Sequence, residues 1–191
     1  MGTGRLKMRI LCGIDEAGRG PLAGDLVMAG CVLNEHIEGL NDSKKLTVKR
    51  RELLYAEITA STASYHIVKF SASQIDDNGI AHCLREGLKE ILANLEADEY
   101  LFDGNTTFGV QDLQTMVKAD GKVAEVSAAS ILAKVTHDRD ILELAKKYPQ
   151  YQLEKHKGYG TKLHIEMIKK YGYSPIHRKT YKIKALQATL F

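Results

Sequence analysis

Hydrophobic positions along this chain follow two periods. Nearly continuous apolar runs at Arg9–Ile14, Leu26–Leu33 and Tyr65–Phe70, with a shorter one at Glu99–Phe102, predict strands of a buried sheet. Apolar residues three and four apart predict helices over Thr47–Ala60 (Leu53, Leu54, Ile58), Ala81–Leu95 (Leu84, Leu88, Ile91, Leu92, Leu95) and Ser127–Tyr148. Thr161–Tyr171 continues as a helix, and Ser174–Leu186 is expected to do the same. Strands followed by alternating helices and strands predict an α/β layered domain: a mixed central sheet flanked by helices, plus a small helical C-terminal part. No internal repeat or low-complexity tract interrupts this order. We place residues 1–145 in the body and residues 146–191 in a basic helical segment of the same domain.

The composition changes this picture in one respect. At 191 residues, 44% hydrophobic and 27% charged, the chain is ordinary for one domain with a sizeable core. No apolar run approaches the ~20 residues of a membrane span, and the first residues lack a signal-peptide apolar region, so a cytoplasmic protein without membrane partners is expected. Cys12, Cys31 and Cys83 are odd in number and widely spaced in apolar surroundings. They suggest core residues and neither a disulfide framework nor a zinc site. The net charge of +3, however, is unevenly spread: residues 146–184 hold eleven lysines and arginines against two glutamates, a balance of +9, which leaves −6 for the remainder. An acidic body beside a basic segment suits a polyanion laid across both, although a solvated lysine-rich helix face has the same composition.

The first apolar run ends in Gly13-Ile14-Asp15-Glu16-Ala17-Gly18-Arg19-Gly20-Pro21-Leu22-Ala23-Gly24. Two adjacent carboxylates emerging from a strand supply hard oxygen ligands for a divalent cation, and the glycines let backbone N–H groups approach a phosphate or sugar. Gly18-x-Gly20-x-x-Ala23 loosely fits a dinucleotide-binding turn, but Asp15 and Glu16 would then face a pyrophosphate and Pro21 has no N–H to offer. A P-loop is excluded by Asp25 and Leu26, where Lys-Ser/Thr is required. Two more acids, Asp103 in Phe102-Asp103-Gly104 and Asp120 in Lys118-Ala119-Asp120-Gly121, follow or precede predicted elements. Each Asp-Gly alone signals a turn. Four carboxylates at strand ends could instead hold two divalent ions, Mg²⁺ or Mn²⁺, for phosphodiester cleavage. The run Ser127–Lys134 is small enough to bring a helix backbone close to a sheet, with Lys134 facing the same way as Ser130.

These motifs, with Asp42-Ser43-Lys44-Lys45-Leu46, Val126–Thr136, His156-Lys157-Gly158-Tyr159-Gly160-Thr161-Lys162-Leu163-His164 and Ser174-Pro175-Ile176-His177-Arg178, resemble the bacterial ribonuclease HII family, the type 2 ribonucleases H, from about residue 9 to about residue 181. The resemblance implies an RNase H-like fold and an endonuclease that hydrolyses the phosphodiester 5′ of ribonucleotides, leaving 3′-hydroxyl and 5′-phosphate ends. Its substrates would be RNA/DNA hybrid duplexes and single ribonucleotides embedded in duplex DNA. By position, Asp15, Glu16, Asp103 and Asp120 take the metal-binding catalytic places. Gly18, Arg19 and Gly20 match a loop that reads the 2′-hydroxyl, and Tyr159 matches a tyrosine that stacks on the sugar at an RNA–DNA junction. Ser43, Lys44 and Lys45 are expected at phosphates; His177 and Arg178 either join them or pack structurally.

Three positions depart from the family pattern: His137 stands where arginine is usual, and Gly160 and Tyr173 where proline is common. None touches the four acids. A non-catalytic nucleic-acid-binding module is the rival of another class, disfavoured by the presence of all four. Ribonuclease HIII is the rival enzyme, disfavoured by the short stretch before the first strand. The chain ends Gln187-Ala188-Thr189-Leu190-Phe191, which resembles the peptides by which bacterial DNA-handling enzymes dock on the sliding clamp, with Gln187, Leu190 and Phe191 as its anchors. A monomer is expected.

Overall fold

The computed structural model describes residues 9–61 and 64–182. Five strands form one sheet in the order β3-β2-β1-β4-β5, from β1 (Leu11–Ala17), β2 (Leu26–Val32), β3 (Ser64–Phe70), β4 (Glu99–Asp103) and β5 (Gln114–Met116). β1, β2 and β3 pair antiparallel, whereas β4 runs parallel to both β1 and β5. The mixed sheet expected from the sequence is therefore present. β2 reads as an unbroken apolar run because both its faces are covered. Leu26 and Met28 join a core with Cys12, Ile14, Phe102 and the helix α3 (Ile80–Asn94); Val27, Ala29 and Cys31 join a second core with α1 (Val48–Ser61) and α4 (Ala124–Lys147). All three cysteines are free and buried, and burial pushes the Cys12 and Cys31 thiols up to about 12, so they serve as apolar filler.

α4 lies closest to the sheet, and its sequence explains why. Ser127 to Ala133 are all buried, and small side chains there let the helix backbone settle on β1. Gly13 is the reciprocal feature on the strand: a Cβ at that position would lie 2.2 Å from the backbone of Glu125 and Val126. The contact fixes the first turns of α4 against the middle of β1, just ahead of Asp15.

The small α2 (Ala72–Asn78) is opened by a reciprocal capping box of Ser71 and Gln74. α5 (Leu153–His156) and α6 (Lys162–Tyr171) complete the helices, and the Thr161 side chain caps α6 by accepting from the His164 N–H. α2, α5 and the edge strand β5 escaped the periodicity because each is too short to show one. The helix expected over Ser174–Leu186 does not form in its described part, residues 174–182, which are turns and coil. The segment spends its hydrogen bonds on residues far away in sequence: Gly24 N–H donates to Ile176 O (2.9 Å) and Arg178 N–H to Leu22 O (2.8 Å). Ala23 and His177 thereby form an isolated antiparallel bridge. Residues 183–186 of that expected helix lie outside the described residues.

Gly13→Ala is expected to lower unfolding stability by about 3 kcal/mol or more, because backbone cannot yield as a side chain does. Gly20→Ala, whose Cβ would meet only the Tyr159 ring at 3.6 Å, is expected to cost under ~1 kcal/mol. Urea denaturation of the two variants measures the difference; equal stabilities would show that α4 is free to move away from β1.

Candidate active site

Asp15, near the end of β1, and Asp103, the last residue of β4, stand on neighbouring parallel strands. The β1–β4 register pairs Ile14 with Phe102, so the next step sets Asp15 beside Asp103. Both lie on the face covered by α4, since Ile14 and Phe102 point into the opposite core. Asp120 comes from a short 3-10 turn (Ala119–Gly121) that leads into α4, held by the Ser127 hydroxyl donating to the Asp120 carbonyl (2.5 Å). One ligand atom from each of Asp15, Asp103 and Asp120 lies within 4.8 Å of the others. The sequence placed four acids at this centre. Glu16, the fourth, lies outside this group of three, because successive side chains leave a strand on opposite faces. It still lines the same cavity of about 600 Å³ with Asp42, Lys44 and Lys45.

Each carboxylate is aimed by groups around it. Asp15 accepts from the Glu16 N–H (2.8 Å) and hydrogen-bonds the Ser130 hydroxyl. Asp103 Oδ1 accepts from the N–H groups of Lys118 (2.9 Å) and Ala119 (3.4 Å). Those two N–H groups converge because Lys118 is left-handed (φ 59°), an uncommon state for lysine that costs on the order of 1 kcal/mol. Nothing in the Lys-Ala-Asp-Gly sequence announces this. Asp42 caps the Ser43–Lys45 turn by accepting from Lys44 N–H (2.9 Å).

The electrostatics are unfavourable without a cation. Burial, then the neighbouring Glu16, raises the Asp15 pKa well above the usual carboxylate range. Burial raises Glu16 and Asp120 as well, and Asp103 adds to both. Glu16 Oε2 is buried without a hydrogen-bond partner. Hard oxygen donors, mutual repulsion and an orphaned carboxylate oxygen together fit a divalent cation such as Mg²⁺ or Mn²⁺, with Asp15, Asp103 and Asp120 as the group able to hold it.

A second cavity of about 310 Å³ adjoins the first, sharing Asp15, Glu16 and Lys44 with it. The run Ala17–Gly20 with Ser43, Ser130, Lys134 and Tyr159 completes its lining. The structure thus gathers the glycine loop, the Ser43–Lys45 turn and Tyr159 around one opening. Tyr159 is 44% exposed, beside Gly20. The Ser43 hydroxyl points inward at 2.9 Å from Ser130 Oγ, while Lys44 and Lys45 are exposed.

His177 and Arg178 do not stand at this opening. Both are buried, so the expectation that they contact phosphates is corrected in favour of its structural alternative. Arg178 instead holds the glycine loop from behind. Its guanidinium donates to the carbonyls of Gly18 (2.6 Å), Arg19 (3.2 Å) and Gly24 (2.8 Å), and Tyr181 Oη donates to Arg19 O (2.9 Å). Asp76 on α2 anchors the same segment by accepting from the N–H groups of Lys179 (2.8 Å) and Thr180 (3.0 Å). The planar guanidinium, with its donors spread over three nitrogens, reaches carbonyls on both sides of the loop, whereas a lysine would have to serve them from one nitrogen. His137, the departure from the usual arginine, is buried against Gly18, with Nδ1 at 3.4 Å from Asp138 Oδ1. Arg51, also missed from sequence, braces the Ser43–Lys45 turn by donating to Ser43 O (2.8 Å) and Leu46 O (2.6 Å).

Proteins of known identity resemble this chain in sequence and, where solved, in fold. A ribonuclease HII of Sulfurovum sp. (strain NBC37-1) is 62% identical over 182 residues, covering 95% of this chain and 96% of that protein. The ribonuclease H2 of Pyrococcus horikoshii OT3 superposes with a TM-score of 0.77 at 31% identity, over 91% of this chain and 94% of that one. The ribonuclease HII of Archaeoglobus fulgidus, solved in complex with PCNA, superposes with a TM-score of 0.79 at 28% identity, over 92% of this chain and 96% of that one. Residues 12–184 match the Ribonuclease HII family model, a span that contains the acidic triad, the glycine loop and the segment that braces it. A carboxylate cluster on an RNase H-like sheet, and a family match that runs through every element building it, place the chain in the ribonuclease HII family, the RNase H-type endonucleases.

Proposed function

We propose that this endonuclease hydrolyses the phosphodiester on the 5′ side of ribonucleotides, in RNA/DNA hybrids and at single ribonucleotides within duplex DNA, leaving 3′-hydroxyl and 5′-phosphate ends. The observation that carries this reading is that the acidic triad and the Gly18–Gly20 loop open onto adjoining cavities sharing Asp15 and Glu16. A group that would recognise ribose and a group that would serve cleavage then face adjoining parts of one opening. Two divalent cations held by Asp15, Asp103 and Asp120 with Glu16 would supply positive charge at the scissile phosphate and acidify a water there.

The chain's own residues do the rest. The 2′-hydroxyl is what separates RNA from DNA, and the backbone at Gly18 and Gly20 offers it hydrogen-bonding groups without a side chain in the way. Gly18, at φ 85° with Arg178 and His137 behind it, has little freedom to drift. Tyr159 offers an exposed ring on which the sugar at an RNA–DNA junction would stack. Lys44 and Lys45, at the rim of the larger cavity, would take phosphates, aided by the lysines after residue 146. The partition into a body at 1–145 and a basic segment at 146–191 serves the same substrate, with acidic chemistry on one and backbone grip on the other. Among the described residues no helix is long and apolar enough to cross a membrane, and we propose a cytoplasmic, monomeric enzyme. Residues 187–191 lie outside the described residues; the complex of the Archaeoglobus relative with PCNA supports a sliding clamp as partner for Gln187, Leu190 and Phe191.

Asp15→Asn and Asp103→Asn are each expected to lower cleavage of a labelled duplex with one embedded ribonucleotide by several orders of magnitude in Mg²⁺ and in Mn²⁺, with folding retained. Near wild-type turnover in either variant would remove that residue from the metal centre. Tyr159→Ala is expected to lower kcat/KM at an isolated ribonucleotide roughly 5- to 100-fold more than within a long hybrid, since base or sugar stacking of this kind is worth ~1–3 kcal/mol. Equal losses would show that Tyr159 does not read the junction. Removal of Leu190 and Phe191 should leave cleavage of short duplexes unchanged and abolish retention on immobilised clamp. Retention of the truncated protein, or none of the intact one, would end the clamp reading.

A further inference from the structure

Three of the chain's seven histidines meet in a buried cluster under Tyr159. His156 stacks on His164 with ring centroids 4.3 Å apart, and His164 Nε2 lies 3.2 Å from His177 Nε2. Nothing in the proposed chemistry uses them, although they stand 8 and 13 residues apart, at the two ends of the His156–His164 motif and inside the Ser174–Arg178 motif.

Their hydrogen bonds leave a single arrangement of protons. The Ser174 backbone N–H, which can only donate, lies 3.0 Å from His177 Nδ1, and Ser174 Oγ lies 2.9 Å from the same nitrogen. His177 Nδ1 is therefore unprotonated, and the neutral ring carries its proton on Nε2. At the other end, the Tyr159 carbonyl can only accept, and His164 Nδ1 lies 3.0 Å from it. His164 thus carries its proton on Nδ1 and presents a bare Nε2 to the proton of His177. The two assignments, made from opposite ends, agree at the shared 3.2 Å contact. Burial holds both imidazoles down to about 4, so they are neutral near pH 7. A second proton on either ring would set two donors face to face.

The chain of donors ends on the residue whose exposed ring lines the substrate opening. Tyr159 O also accepts from Thr161 N–H (2.8 Å), and Tyr159 N–H donates to His156 O (2.9 Å). The preceding turn is fixed as well: Lys157 and Gly158 are both left-handed, and Gly158 O accepts from Leu22 N–H (2.8 Å) beside the glycine loop. Backbone bonds set where the turn lies, and His164 adds a side-chain donor to the carbonyl of the peptide after Tyr159.

We propose that His164 and His177 are positioning residues for Tyr159, acting through a one-directional hydrogen-bond relay from Ser174 through both rings to the Tyr159 carbonyl. The inference rests on the reading of Tyr159 as the junction-stacking residue, and its tests separate the two. The first test uses the intact protein: long-range ¹H–¹⁵N correlation of the histidine rings at pH 7 should show His164 protonated at Nδ1 and His177 at Nε2. The opposite tautomer at either ring would overturn the relay, whatever Tyr159 does.

The second test uses two amides that mimic different ring nitrogens. In His164→Asn the amide nitrogen reaches the place of Nδ1 and still donates to Tyr159 O; in His164→Gln it reaches the place of Nε2 and does not. The ratio of kcat/KM at an isolated ribonucleotide to that in a long hybrid is expected to stay within about threefold of wild type for Asn and to fall roughly tenfold for Gln, the worth of one hydrogen bond. Equal ratios in the two variants would overturn the proposal. If the Gln variant does not fold, His177→Asn, which keeps the acceptor for Ser174 and breaks the link to His164, should lower the ratio in its place; an unchanged ratio would overturn the proposal. If Tyr159→Ala shifts the ratio and His164→Gln does not, the relay alone fails. An unchanged ratio in Tyr159→Ala would instead remove the junction reading and, with it, the purpose of the relay.

Discussion

Three carboxylates held within 4.8 Å of one another repel, and much of this structure is what keeps them there. Parallel pairing of β1 with β4 sets Asp15 beside Asp103, and the turn into α4 brings Asp120 to the pair. Repulsion would drive such groups apart unless stiff elements opposed it. The close seating of α4 on Gly13 supplies that stiffness, and a left-handed Lys118 spends backbone strain to aim two N–H groups at Asp103. Burial raises the energy of the ionised centre further, which a divalent cation held there would reverse. Strain, desolvation and repulsion are thus concentrated at the place where a bound divalent cation would return them.

The loop that would read the sugar is held by a different means. A glycine turn has the freedom to approach a substrate closely and, for the same reason, the freedom to lose its shape. Arg178 removes that freedom from the inside by donating to three of the loop's carbonyls, and Tyr181 and Asp76 hold the arginine's own segment in place. The C-terminal segment is therefore part of the site's architecture. The histidine cluster extends the same principle to Tyr159: buried neutral donors and acceptors, each satisfied in one direction only, fix a backbone group that carries an exposed side chain.

Much of this was legible in the sequence where periodicity or local chemistry is strong. β2 and β3, the long helices α3 and α4 and the capped α6 stand close to where the apolar spacing put them, because burial of one face or both imposes the pattern. Short elements were not legible: three residues of β5 or four of α5 are fewer than one period of anything. The segment after Ser174 was misjudged as helix because its partners are the carbonyls and N–H groups of residues 18 to 24, more than 150 positions away. Arg178 and His177 looked like phosphate ligands for the same reason, since a basic residue shows its charge in the sequence but not its burial.

The available chemistry is legible in the chain before any fold: four acids at the ends of apolar runs, a glycine turn beside two of them, lysines gathered after residue 146, and small residues where a helix must approach a strand. Those follow from side-chain type and local spacing, which the chain carries with it into any fold. It took the packed fold to decide that three acids meet, that Arg178 turns inward onto the glycine loop, and that His177 meets His164. Each of these depends on strand register, pleat or the direction of a hydrogen bond between distant residues. Such relations are set by the packing of one element on another, and no local stretch of sequence contains both partners.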